Sequence, residues 1–384
     1  MPEFFESANL KEFPFNITSP ANFADEKCGV WAGYDEPKQK LESVISMPKD
    51  FKTTIFQFVY GDYGVGKTHA LRWVAHEILH KQKDEFNSVV YLMDKIVSAS
   101  TNKVDFAWAY TEYIFQRSTF IDDVMKFKIF FEQIRTRHPN YGIDQDDLCL
   151  EMLDNRRDLT ESLIKLLRTD GDYQSVKEML KLSGPAVQQS NAAVSLLIDY
   201  FRLFTYEFKN IDGGRNQFKN AAYFFIDEFD LVMETGGAQY GIANQQIRRL
   251  FDEMEAFPYC LMLSATATAA EREGMLEPYL LSRLEDMNGI SLEILTPAEI
   301  PPFVEGILDA YRIDPSDSKK CKMFPFDDEF IDQLADSATE AQPRKIFKKL
   351  GLALRYAQQK HLDLSKNKIT TSFIEKNIPD FFSD

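Results

Sequence analysis

Eight residues constrain this chain more than any others: Gly61-Asp62-Tyr63-Gly64-Val65-Gly66-Lys67-Thr68. They follow Thr53-Thr54-Ile55-Phe56-Gln57-Phe58-Val59-Tyr60, a β-branched and aromatic run that reads as a buried strand. Helical periodicity follows them. The pattern is G-x-x-x-x-G-K-[ST] between a strand and a helix. Glycines let the backbone wrap phosphates with its N–H groups inward, and the helix turns its positive end to the same anion. Lys67 supplies a point charge for β- and γ-phosphates, and the Thr68 hydroxyl offers a position to Mg²⁺. The expected ligand is ATP with Mg²⁺, and the expected fold class is α/β with a parallel sheet.

The same stretch ends in His76-Glu77-Ile78-Leu79-His80, which spells H-E-x-x-H. On a helical wheel Leu71, Val74, Ala75 and Ile78 share the face that must pack on the sheet. His76 and His80 fall opposite, beside Trp73 and His69. A zinc protease also needs a third ligand and a cleft, and only His138 and His361 remain, in unrelated contexts. The expectation is a solvated or partner-facing histidine patch, not a metal site.

A second carboxylate signature lies far downstream. Ala221 to Ile226 is a hydrophobic strand that ends in Asp227-Glu228-Phe229-Asp230. Asp227 can hold Mg²⁺, and Glu228 can polarise the water that attacks a γ-phosphate. Tyr259-Cys260-Leu261-Met262-Leu263 reads as another core strand and delivers Ser264-Ala265-Thr266-Ala267-Thr268 to the same sheet edge. A hydroxyl there, of Ser264 or Thr266, can meet the γ-phosphate or the lytic water. These two motifs also resemble those of superfamily-2 helicases. Only 116 residues follow Thr268, however, and they read as helices, not as the second RecA-like domain a helicase needs.

Composition sets outer limits. The chain has 384 residues, 44% apolar and 27% charged, which suits two or three globular domains. Net charge is −16, so the surface as a whole repels nucleic acid, and a DNA contact would need a local basic patch. No window approaches 18 consecutive apolar residues, so no membrane contact is expected. The N-terminus lacks a basic and an apolar region of an export signal. Cys28, Cys149, Cys260 and Cys321 lie too far apart for a paired metal motif. The expected location is the cytoplasm, with reduced thiols.

Four further stretches give the chain a resemblance to AAA+ ATPases, closest to the initiator (origin-recognition-like) and transposition-regulator branches. Trp31-Ala32-Gly33-Tyr34-Asp35-Glu36-Pro37 resembles the G-R-E-x-E box that covers adenine, with Tyr34 in place of the arginine and available for base stacking. Glu277 to Leu284 resembles the segment ending in an arginine finger, which the resemblance assigns to Arg283. Leu292 to Glu299 resembles the strand that leads into a helical lid. Gln342-Pro343-Arg344 resembles the lid motif whose arginine senses the γ-phosphate from the same chain. By resemblance the nucleotide site therefore takes in Gly61 to His69, Tyr34, Asp227, Glu228, Ser264, Thr266, Arg283 and Arg344.

The resemblance implies a Mg²⁺-dependent ATPase that works as a homo-oligomer and switches a partner complex in transposition, replication or mobile-element defence. A nucleotide-controlled signalling switch is the alternative. The expected organisation is an N-terminal segment and first core part over 1–100, a helical insertion over 101–220, a second core part over 221–294 and a helical lid over 295–384. The insertion holds 16 basic and 18 acidic residues, so the rest of the chain carries −14. That makes the insertion the expected place for a protein partner or nucleic acid. No winged helix is expected after the lid's final helix, Phe373 to Ile378.

Overall fold

The computed structural model describes residues 2–16, 20, 22–142, 144–268, 274–285, 289–337, 341–379 and 381–382. Five strands form one parallel sheet: β1 (Thr54–Gly61), β2 (Val89–Met93), β3 (Ala222–Ile226), β4 (Tyr259–Thr266) and β5 (Ile290–Leu292), in the order β2-β3-β4-β1-β5. Val89 to Met93 pair with Ala222 to Ile226, and those in turn with Tyr259 to Leu263. Every residue of β2 and β3 is buried, which explains why each is continuously apolar and lacks alternation.

The chain divides into two compact units. One comprises residues 41–60 and 77–290. Its core is aromatic. Tyr91 of β2 stacks on Phe201 of the helix Ala186–Thr205 with ring centroids 5.6 Å apart, and Phe201 also meets Phe224 of β3 at 5.6 Å. The helices Phe120–Arg135, Arg157–Leu167 and Tyr173–Leu180 add Phe127, Leu163 and Val176 to the same cluster. The segment 101–220 thus shares one core with the sheet. It also holds strand pairing that helical periodicity does not reveal: Glu207–Lys209 pairs antiparallel with Arg215–Gln217, joined through the Asp212-Gly213-Gly214 turn.

The other unit comprises residues 1–40, 61–76 and 291–384. Its core joins the N-terminal arm, through Leu10 and Phe15, to the helices Ile300–Ala310, Asp328–Ser337 and Pro343–Gln359. Of the stretch expected to lead into these helices as a strand, Leu292 to Glu299, only Leu292 belongs to a strand, β5. Thr296 then opens a capping box with Glu299 ahead of the helix from Ile300. Proline at 297 and the Thr-x-x-Glu spacing favour a helix start over a longer strand.

Candidate functional site: a phosphate loop and a carboxylate strand end

In the unit that contains the N-terminal arm, the glycine loop leads directly into the helix Lys67–His76. Gly64 and Gly66 hold φ of 84° and 109°, which an L side chain adopts only with strain. A Cβ on Gly61 would lie 2.0 Å from the Leu292 carbonyl oxygen, so glycine is required there on space alone. Lys67 is 9% exposed, and its ammonium donates to the Gly61 and Asp62 carbonyls at 3.0 and 2.8 Å. The loop's own backbone therefore holds the cation at the mouth of a helix.

Arg344 closes on the same loop. Its backbone N–H donates to the Gly64 carbonyl at 3.2 Å. Its guanidinium lies 5.0 Å from the centre of the Tyr63 ring and donates to the Tyr63 hydroxyl. The buried Nε has no acceptor among the described residues. An orphaned charged donor beside a helix N-terminus suits an anion that the loop would bind.

Gly64, Val65 and Gly66 line a cleft of about 930 Å³, its open mouth included, together with Trp31, Tyr34, His69 and Arg344. That size and its apolar lining suit a nucleoside. The Tyr34 ring faces this cleft with a backbone φ of 53°, and its hydroxyl donates to the Glu293 carbonyl at 2.6 Å. Burial, with Glu299 and Glu293 nearby, pushes that hydroxyl's pKa well above the ordinary tyrosine value. His69 donates Nε2–H to the Val30 carbonyl at 2.6 Å, and burial lowers its pKa.

The helix face expected to meet solvent is covered at Trp73 and His76, while His80 is exposed. Trp73 is buried against Trp31, with ring centroids 4.8 Å apart. His76 donates Nδ1–H to the Phe23 carbonyl at 2.7 Å, and Arg72 donates to the Pro20 carbonyl at 3.1 Å. The arm's carbonyls need donors, and this polar face supplies them. The α-helix ends at His76, and Glu77–Lys81 continue as a π-turn, which changes the spacing that would put both histidines on one metal. Among the described residues, no group of three or more His, Cys, Asp or Glu is arranged to hold a metal ion.

The carboxylates belong to the other unit. Asp227 follows β3 and is 3% exposed. Ser264, fully buried in β4, donates its hydroxyl to Asp227 Oδ1. The Glu228 N–H donates to the same oxygen at 3.0 Å. Glu228 itself sits in the left-handed region at φ 49°, an uncommon place for a residue with a Cβ. Desolvation, then the Asp227 charge, pushes its pKa up. The Thr266 N–H donates to Asp230 at 2.9 Å, which ties the end of β4 to the turn after β3. Spacing alone did not reveal these two ties.

Arg283, in the helix Pro278–Glu285, is exposed and rests on the Tyr279 ring at 5.3 Å while donating to its hydroxyl at 3.0 Å. The structure thus gathers Gly61 to His69, Tyr34 and Arg344 in one unit. Asp227, Glu228, Ser264, Thr266 and Arg283 belong to the second.

No protein-family model matches this chain, and no curated protein matches it in sequence. Solved structures do. One is the Aeropyrum pernix ORC1 protein in complex with DNA, at 12% identity and TM-score 0.49, over 92% of this chain and 67% of that one. Another is Cdc6p from Pyrobaculum aerophilum, at 12% identity and TM-score 0.47, over 95% and 69%. A third is domain III of the Thermotoga maritima replication initiation protein DnaA, at 9% identity and TM-score 0.43, over 95% and 100%.

Proposed function

We propose that this chain is a Mg²⁺-dependent ATPase of the AAA+ type that oligomerises and switches a partner complex in DNA-associated work. The observation that carries the reading is the loop: a buried ammonium held by loop carbonyls, at a helix N-terminus, beside an arginine with an unused donor. Glycine-loop N–H groups, a helix N-terminus and two cationic side chains on one loop favour an anion there. Polyphosphate supplies that anion.

In this reading Lys67 and the loop N–H groups bind the β- and γ-phosphates, and the Tyr34 and Trp31 side of the cleft takes the base. Thr68 and Asp227 would hold Mg²⁺, which spreads the negative charge of the phosphates. Ser264 and the Glu228 N–H fix the Asp227 carboxylate. Glu228 orients and polarises water, a hydroxyl of Ser264 or Thr266 meets the γ-phosphate or that water, Arg344 acts in cis and Arg283 acts on a neighbouring copy.

The four stretches expected as core, insertion, core and lid remain the proposed division, with 101–220 offered to a protein partner. A slow signalling switch is the second reading, favoured by the net charge of −16. Turnover measured with and without duplex DNA separates them. Stimulation by duplex supports DNA-associated work, and indifference supports the signalling switch.

A further inference from the structure

The helix Pro343–Gln359, which carries Arg344 at its start, has two faces of opposite character. Ile346, Leu350, Ala353, Leu354 and Ala357 are buried. Lys345, Lys348, Leu352, Arg355 and Gln359 recur at three- and four-residue steps on the other face, and all are exposed. Lys349 flanks this row, and Lys360 follows it. Residues 343–376 hold nine basic and two acidic residues, a net +7 within a chain of −16. Domain averages hide this, because residues 295–342 are acidic.

Among the described residues, Lys348, Lys349, Arg355 and Lys360 have no carboxylate partner; Arg355 rests on the Phe13 ring at 4.7 Å. From Lys345 to Arg355 the row runs about 15 Å at 1.5 Å per residue. No acidic side chain interrupts it. Its occupant must therefore be anionic and extended. Protein interfaces bury aromatic and apolar anchors and avoid lysine at their centres, whereas this face is lysine-rich with Leu352 as its one large apolar side chain. A row of point charges suits phosphates contacted without sequence readout.

We propose that this outer face of the arginine-bearing helix binds the phosphate backbone of duplex nucleic acid. The proposal deepens the DNA-associated part of the proposed function and rests on it. Its place in the fold is specific. The same rigid helix touches the phosphate loop through Arg344 at its first turn and presents the cationic row further along. Nucleic acid on the row and nucleotide on the loop would then bias the position of one element.

The test is fluorescence anisotropy of a labelled 20-base-pair duplex against the full chain without nucleotide, from 50 to 200 mM KCl. Wild type should bind at 50 mM, with log affinity falling linearly with log salt. Lys348→Gln with Arg355→Gln should bind roughly 10-fold more weakly and reduce the slope by about 2. Lys348→Arg should retain wild-type binding, which separates loss of charge from loss of fold. Lys67→Ala should still bind duplex, so the nucleotide reading and this one fail separately. No binding by wild type at 50 mM overturns the proposal, and so does an unchanged slope in the double variant. Tighter binding of polyglutamate than of duplex would assign the face to an acidic protein instead.

Discussion

Two buried lysines, one in each compact unit, show how differently the fold treats the same ammonium. Lys67 is 9% exposed and Lys128 is 8% exposed. Both donate to main-chain carbonyls. Lys128 reaches the Leu166 and Thr169 carbonyls at 3.1 and 2.7 Å and the Thr169 hydroxyl at 2.8 Å. These acceptors end the helix Arg157–Leu167, where the negative dipole end welcomes a cation. Burial lowers the Lys128 pKa, yet its surroundings are complete. Lys67 is the first residue of its helix, at the positive end, after a loop whose bends at positions 64 and 66 favour glycine. One lysine finishes a structure. The other is placed against the local field, as a ligand-binding cation would be.

If that contrast is right, function and stability should separate between the units. The largest effect expected is on turnover. Glu228→Gln should keep ATP affinity and lose about 100-fold or more of hydrolysis, measured by phosphate release, because the water is held but not polarised. Since desolvation and Asp227 raise the Glu228 pKa, the acidic limb of the wild-type rate profile should lie above the ordinary glutamate range. Activity is retained above that pKa and lost as pH falls through it, because the base must be ionised. Normal turnover in the glutamine variant would remove Glu228 from its role.

Arg283→Ala should bind ATP and lose most turnover, and mixing it with Lys67→Ala should restore partial activity. In the proposed function each variant lacks a different half of a site shared between copies. Arg344→Ala mixed with Lys67→Ala should restore nothing if Arg344 acts within its own chain, as proposed. Rescue in the second mixture, or none in the first, would exchange or cancel the two assignments.

Smaller effects sharpen the lysine comparison itself. Lys128→Ala should cost about 1–3 kcal/mol of stability in urea unfolding, since buried carbonyls lose their donor, and leave ATP affinity unchanged. Altered nucleotide affinity with unaltered stability would contradict its purely structural role. Smallest of all, His76→Ala with His80→Ala should leave turnover within a few-fold and remove no zinc. Stoichiometric zinc in wild type that the double variant loses would restore the metal reading.

What sequence made legible was what short-range chemistry dictates. The strand–glycine loop–helix order around Lys67 needs no long-range information, and the uninterrupted apolar runs of β2 and β3 announce two-faced burial. The hairpin of Glu207–Lys209 with Arg215–Gln217 escaped because its strands are too short and polar for a periodic signal. The arm's cover over His76 and Trp73 escaped because a helical wheel gives two faces but not what lies against each. Ser264 could be placed near the carboxylates from its strand, but its bond to Asp227 depends on the register between β3 and β4. The cationic row on Pro343–Gln359 was visible residue by residue and vanished in domain totals.

The central claim is that Lys67 sits where it does to bind polyphosphate. Isothermal titration of ATP with Mg²⁺ into wild type, Lys67→Ala and Lys128→Ala tests it most directly. The account predicts saturable binding with one site per chain for wild type and for Lys128→Ala, and none for Lys67→Ala, whose circular dichroism should match wild type. Equal affinity in all three proteins, or no binding to a folded wild type, would contradict it.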